Sequence, residues 1–193
     1  MKRLLPAFYV LIACLSCNQP NVVYIQPLGH VKTADINLVK TAVESFYHYK
    51  CIVKPPANLT GGIVADSKTR YEANRILSKY TSRDNLLILT EKDIAVANTE
   101  RHMKEWGVFG LGYQPGTTCV VSTFRLKQNV SNELFRNRLI KVCLHEIGHN
   151  LGLPHCTSGD KRCLMQDAKG TIKVVDEARV FLCAQCRKQL GTF

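Results

Sequence analysis

The feature that most restricts this chain is one run of residues, His145-Glu146-Ile147-Gly148-His149-Asn150-Leu151-Gly152-Leu153-Pro154-His155. It lies in a stretch where Leu134, Phe135, Leu139, Val142, Leu144, Ile147 and Leu151 recur at helical spacing, behind a capping Ser131. That spacing predicts a long helix over 132–151, with Arg136, Arg138 and Lys141 between the apolar positions. Four residues advance a helix by little more than one turn, so His145 and His149 project from one face. His155 must come from chain that has left the helix axis. Gly152 permits the left-handed backbone that makes the turn, and Pro154 blocks resumption of the helix. Three imidazoles so placed suit one Zn²⁺ with a coordination position left open, and Glu146 stands beside the ion to take a proton from its bound water. Zinc lowers the pKa of such water toward about 7 and polarises a carbonyl, which is the chemistry of peptide-bond hydrolysis. Two His, one Glu, one Gly and a third His at fixed offsets arise by accident with odds on the order of one in a million per position, so a chance helix rich in His and Glu does not account for them.

Immediately beyond, the chain carries a second metal-like pattern. Cys156 follows His155; then come Cys163-Leu164-Met165 and, after a longer spacer, Cys183-Ala184-Gln185-Cys186. Four thiolates in two clusters suit a closed tetrahedral structural zinc site, which would make two zinc ions in all; in an oxidising compartment the same four could pair as disulfides. Met165 is not assigned as a ligand: it stands where metzincins place the methionine that packs beneath the catalytic metal, which for packing is the same as a core residue. Of the nine cysteines, Cys51, Cys119 and Cys143 fall in apolar elements and are expected as buried, inert thiols.

On these motifs the chain resembles the archaemetzincins. The long zinc motif, the histidine directly before the first cysteine, the Cys-Leu-Met triplet and the terminal Cys-x-x-Cys carry the resemblance. The segments 69–73, 108–111 and 121–126 are also similar to family sequence. The resemblance implies a metzincin-like fold of mixed α/β class: a mixed twisted sheet with packed helices, the active-site helix, and a small cysteine-rich C-terminal subdomain. It implies a zinc metallopeptidase, acting as an aminopeptidase or an endopeptidase on a peptide or protein laid along a sheet edge near Val108 to Leu111. One departure is the loop Thr157 to Arg162, six residues where the family usually has four; lengthening a loop costs little closure entropy. A non-catalytic zinc module that binds a peptide or partner is the alternative, against which Glu146 argues, since a pure binder needs no base beside the metal.

Before the motifs, the pattern predicts a strand over 21–28, a helix from Thr33 carrying Ile36, Val39, Val43, Phe46 and Tyr47, and a short strand over 50–53. A second helix carrying Tyr71, Ala73, Ile76, Leu77 and Tyr80 is expected, capped by Asp66 or Ser67. Strands are expected over 86–89, 107–112 and 119–124, and a final amphipathic segment over 176–190.

The first residues read as an address. Lys2 and Arg3 precede an apolar stretch from Leu4 to Leu15, too short to cross a bilayer, that ends in small residues and cysteines. This resembles a bacterial lipoprotein signal with Cys14 or Cys17 as the lipidated residue, and predicts three parts: 1–16 as signal, 17–152 with the active-site helix, and 153–193 with the third histidine and the cysteines. The expected location is an exported protein held at a bacterial membrane by its N-terminal lipid, or the cytoplasm if the segment is no signal. The net charge of +11 is spread without an aromatic-interleaved stripe, which argues against nucleic acid and for a solvated surface on a monomer. With 46% hydrophobic and 21% charged residues, neither a disordered tail nor a multi-span membrane protein fits.

Overall fold

The computed structural model describes residues 21–59, 61–67 and 69–191. The predicted signal and both lipidation candidates, Cys14 and Cys17, lie outside the described residues.

In chain order the elements are β1 (Val22–Leu28), α1 (Thr33–Tyr47), β2 (Lys50–Val53), β3 (Tyr71–Glu72), α2 (Ala73–Lys79), β4 (Asn85–Thr90), β5 (Ile94–Asn98), β6 (Met103–Val108), β7 (Gly110–Gly112), β8 (Thr118–Ser122), α3 (Asn132–Asn150), α4 (Ile172–Glu177) and α5 (Ala184–Leu190). Five strands form one sheet in the order β2-β1-β4-β8-β7. The first four run parallel and β7 pairs antiparallel with β8. β4 and β8 are buried on both faces, as their unbroken apolar runs require inside a parallel sheet. Alternation then divides the core. Val23, Ile25, Leu87, Leu89, Cys119 and Val121 face α1 and α3, while Leu86, Ile88 and Val120 face α2. The cysteine-rich tail enters the first of these layers through Cys163, Leu164, Met165, Val175 and Cys186, so one core runs from β1 to α5. Cys51, Cys119 and Cys143 are buried free thiols.

Three expectations are corrected. The stretch 107–112 is two strands: β6 joins a separate sheet, β3-β5-β6, and the chain passes at Phe109 into β7 of the main sheet. The break follows the partners: β5 supplies β6 with an antiparallel strand and β8 supplies β7 with one. The second helix begins only at Ala73. Its cap is Glu72, whose carboxylate accepts from the N–H groups of Asn74 and Arg75 at 3.3 and 2.7 Å. Ser67 instead donates to Glu105, and Tyr71 lies in β3. The segment 176–190 is broken: α4 ends at Glu177, Val180 and Phe181 are exposed, Leu182 is buried, and α5 begins after Cys183.

Candidate active site

The active-site helix forms as its sequence predicts, and its end is what builds the site. The Ser131 hydroxyl caps α3 by accepting from the Leu134 N–H at 3.2 Å. At the other end Gly152 takes φ +92°, and the N–H groups of Gly152 and Leu153 donate to the carbonyls of His149 and Gly148 at 2.8 and 2.9 Å. The chain leaves the helix there and returns His155 to the other two histidines. Ring centroids lie 4.6 Å (145–149), 4.8 Å (149–155) and 5.4 Å (145–155) apart, and the candidate ligand atoms all fall within 4.8 Å of one another.

The donor chemistry fits a metal. The Nδ1 atoms of His145 and His149 lie 2.8 Å from the carbonyl oxygens of Leu164 and Leu153. A carbonyl can only accept, so Nδ1 carries the proton in each ring and Nε2 keeps its lone pair for an ion. Burial and the neighbouring His149 push His145 down to about 3, and burial lowers His149, so both are neutral, ligand-competent imidazoles at neutral pH. His155 is exposed, with Nδ1 3.9 Å from the Asp167 carboxylate.

Glu146 is buried beneath β7, and burial pushes its carboxyl up to about 8 against the opposing influence of the Gly112 N–H, which bonds it. Two glycines make the room. A Cβ on Gly110 would stand 2.7 Å from the Glu146 side chain, and one on Gly112 would stand 2.8 Å from the Glu146 carbonyl. β7 therefore lies directly over the carboxylate with no side chain between. Asn150, with its amide oriented as its partners require, ties the helix end to the chain flanking this edge: it donates to the carbonyls of Thr118 and Tyr113 at 3.1 and 3.2 Å.

Met165 is wholly buried against Gly148, where a Cβ would meet its Sδ at 2.7 Å and the Tyr47 hydroxyl at 3.1 Å. Tyr47 in turn donates to the Leu144 carbonyl at 2.7 Å. Gly148→Val is expected to destabilise the protein by about 2 kcal/mol through overpacking, despite the better helix propensity of valine over glycine. Thermal unfolding of the variant checks this; an unchanged or raised midpoint would mean that Met165 is not pinned there.

The four C-terminal cysteines also converge, within 4.8 Å of one another. The Sγ atoms of Cys156 and Cys183 are 3.6 Å apart and those of Cys163 and Cys186 are 3.7 Å apart. Thiolates about 2.3 Å from a tetrahedral zinc would stand about 3.8 Å apart, so the donor set fits a structural ion. The longer loop does not prevent this: the Ser158 hydroxyl, Gly159 at φ +79° and the Asp160 carboxylate close it locally, with Asp160 accepting from the Arg162 N–H at 3.0 Å.

A cleft of about 650 Å³ runs between β7 and the histidines, lined also by Lys141, Val142, Leu164, Val174, Val175 and Ala178. The sequence marks Lys141 only as a charge between apolar positions. Its spacing of four from His145, which puts both on one face, is the signal that could have found it. Arg138 is likewise no surface charge: it is buried and clasps Asp176 through two bonds of 2.7 Å.

A model of peptidase family M54 matches residues 33–192. The archaemetzincin of Archaeoglobus fulgidus is 29% identical over 168 residues, 87% of this chain and 98% of that protein. That of Haloarcula marismortui is 28% identical over 177 residues, 86% and 97% of the two chains. The crystal structure of the A. fulgidus protein, complexed with malonate, superposes with a TM-score of 0.76 at 30% identity, covering 87% of this chain and 99% of that one. The archaemetzincin of Methanopyrus kandleri shares the fold, with a TM-score of 0.75 at 23% identity over 92% and 97% of the chains.

Proposed function

Since the chain belongs to peptidase family M54, the archaemetzincins, and is a zinc metallopeptidase, we propose that it cuts internal bonds of extended peptides with Glu146 as the general base. The observation that carries this reading is the convergence of His145, His149 and His155 beside a buried carboxylate, under a sheet edge with which no other described strand pairs. In it, those three imidazoles hold the catalytic ion, and Cys156, Cys163, Cys183 and Cys186 hold a second, structural one. The bound catalytic zinc supplies a Lewis acid that polarises the scissile carbonyl and acidifies water.

The chain's own residues do the rest. β7 ends the five-stranded sheet, so its outward main-chain groups other than the Gly112 N–H can take a peptide as a further strand, most stably antiparallel. Such a strand passes the histidines with chain continuing on both sides, which supports an internal cut. Glu146, aimed by the Gly112 N–H, takes a proton from the attacking water on a carboxylate oxygen and delivers it to the leaving nitrogen.

An internally quenched peptide with an acetylated amino terminus tests the reading: turnover by the zinc-loaded protein, abolished by chelation, is expected. Hydrolysis confined to free-amino peptides would replace it with an aminopeptidase. We also propose that the protein is exported and lipid-anchored at a bacterial membrane, and acts as a monomer. The sequence supports the anchoring through Lys2, Arg3 and the apolar stretch ending at Cys14 and Cys17. The mass of the amino-terminal peptide tells which cysteine, if either, carries lipid.

A further inference from the structure

We infer that Lys141 makes this peptidase select a substrate with an acidic side chain, Glu in particular, at the residue that follows the scissile bond. The inference rests on the reading of the cleft as a peptide-cutting site and extends it to substrate class.

The position of Lys141 follows from the helix. It lies four residues before His145, on the same face, and both line the cleft. Its Nζ donates to the carbonyls of Val175 and Asp176 at 2.9 and 3.1 Å. These are neutral acceptors in the last turn of α4. The nearby Asp176 carboxylate is already occupied on both oxygens by Arg138. Among the described residues no ion pair is formed by Lys141. An ammonium has three N–H groups, and two are accounted for. What remains is one donor and a positive charge with no carboxylate in ion-pair contact, in a cleft also lined by the apolar Val142, Leu164, Val174, Val175 and Ala178. An arriving carboxylate gains a charge-assisted bond there, while a neutral chain leaves the cation without a counter-charge.

Direction along the cleft identifies the substrate residue. β7 and α3 run side by side. Gly110 lies by the Glu146 side chain, Gly112 by the Glu146 carbonyl, the Gln114 amide donates to the Gly152 carbonyl and the Gly116 N–H to the Asn150 carbonyl. Lys141, one turn before His145, therefore lies toward the start of β7. A peptide paired antiparallel to β7 runs with its C-terminal portion toward that same end. The side chain beyond the cut bond thus meets Lys141. Apart from Glu146, the other charged residues lining the cleft sit elsewhere: Asp167 is beside His155, Lys169 follows two residues on with its N–H donating to the Asp167 carboxylate at 2.8 Å, and Glu100 and Arg101 lie at the turn between β5 and β6, with the Arg101 guanidinium 4.5 Å over the Trp106 ring.

The test uses peptides that differ only at this position (Glu, Gln, Leu or Lys) with two readouts. Zinc-loaded protein is expected to cut the Glu peptide with kcat/KM about tenfold above the Gln peptide and further above the Lys peptide. Calorimetric binding to the zinc-loaded Glu146→Gln protein is expected to give the same order in Kd. Lys141→Gln, whose amide can still donate to the two carbonyls, should bring Glu and Gln peptides to parity, Lys141→Glu should reverse the order toward Lys, and Lys141→Arg should keep it. Equal Kd values for the Glu and Gln peptides in the unaltered Lys141 background, or a preference untouched by Lys141→Gln, would overturn the assignment. Absence of turnover on every peptide would instead remove the peptidase reading, while the binding series still decides the role of Lys141.

Discussion

Glu146→Gln is expected to lower kcat/KM for peptide hydrolysis by about a thousandfold while leaving zinc bound. The substitution is close to isosteric, and the space beneath β7, opened by Gly110 and Gly112, accepts an amide as it accepts a carboxyl. The amide oxygen can still take the Gly112 N–H, so the group stays where it was. What it loses is the ability to hold a proton. His145, His149 and His155 are untouched, so metal content is expected to match the parent. A second readout separates a lost base from a damaged fold. In the zinc-free protein burial raises the Glu146 carboxyl from 4.5 to about 8. A carboxyl raised on folding favours the folded state below its unfolded pKa, and that contribution is lost as pH climbs through the folded value. Removing the carboxyl should therefore give the zinc-free variant a stability advantage over the zinc-free parent that grows from about pH 5 to about pH 8, reaching a few kcal/mol. Every other group is common to the two proteins and cancels in the difference. Undiminished turnover would show that another group takes the proton; a pH-independent stability difference would show that Glu146 is not buried as described.

The parts of this site written in consecutive residues were legible, and those made by non-local pairing were not. His145, His149, Gly152 and His155 encode their own geometry, because a helix and its terminating glycine fix where the rings go. The cysteine clusters and Met165 were legible for the same reason: each sits at a fixed offset from a neighbour. The two strands within 107–112 could not be read as two, since the break is decided by which sheet offers each strand a partner, β5 for β6 and β8 for β7. Glycines that look like turn residues are there because β7 must lie on Glu146, a contact between positions far apart in sequence. The cap of α2 went to Glu72 over Asp66 and Ser67 because the latter two are engaged by Arg75 and Glu105, again from a distance. Lys141 illustrates the middle case: its face was predictable, but its lack of a counter-charge depends on Arg138 having claimed Asp176.

The two cysteine-histidine systems are joined closely enough that damage to one must reach the other. His155 and Cys156 are adjacent, and the Cys156 N–H donates to the Met165 carbonyl at 2.7 Å. Leu164, which follows Cys163, offers the carbonyl that fixes the His145 ring. Holding the thiolates together thus holds the third histidine, the methionine beneath the site and a partner of the first histidine. Cys186→Ser removes one thiolate from α5, an element that does not line the cleft. It is expected to lower bound zinc by about one equivalent and the unfolding midpoint by well over 10 °C, since binding to a four-thiolate site is worth on the order of 10 kcal/mol and is coupled to folding. Turnover is expected to fall at least about tenfold even with zinc in excess, because His155 and Leu164 are no longer fixed. If the same cysteines were paired as disulfides, the parent would hold one zinc and a thiol reductant would reproduce the effect of the substitution. A variant that keeps full zinc content and full activity would mean that His145, His149 and His155 keep their places without the fourth cysteine.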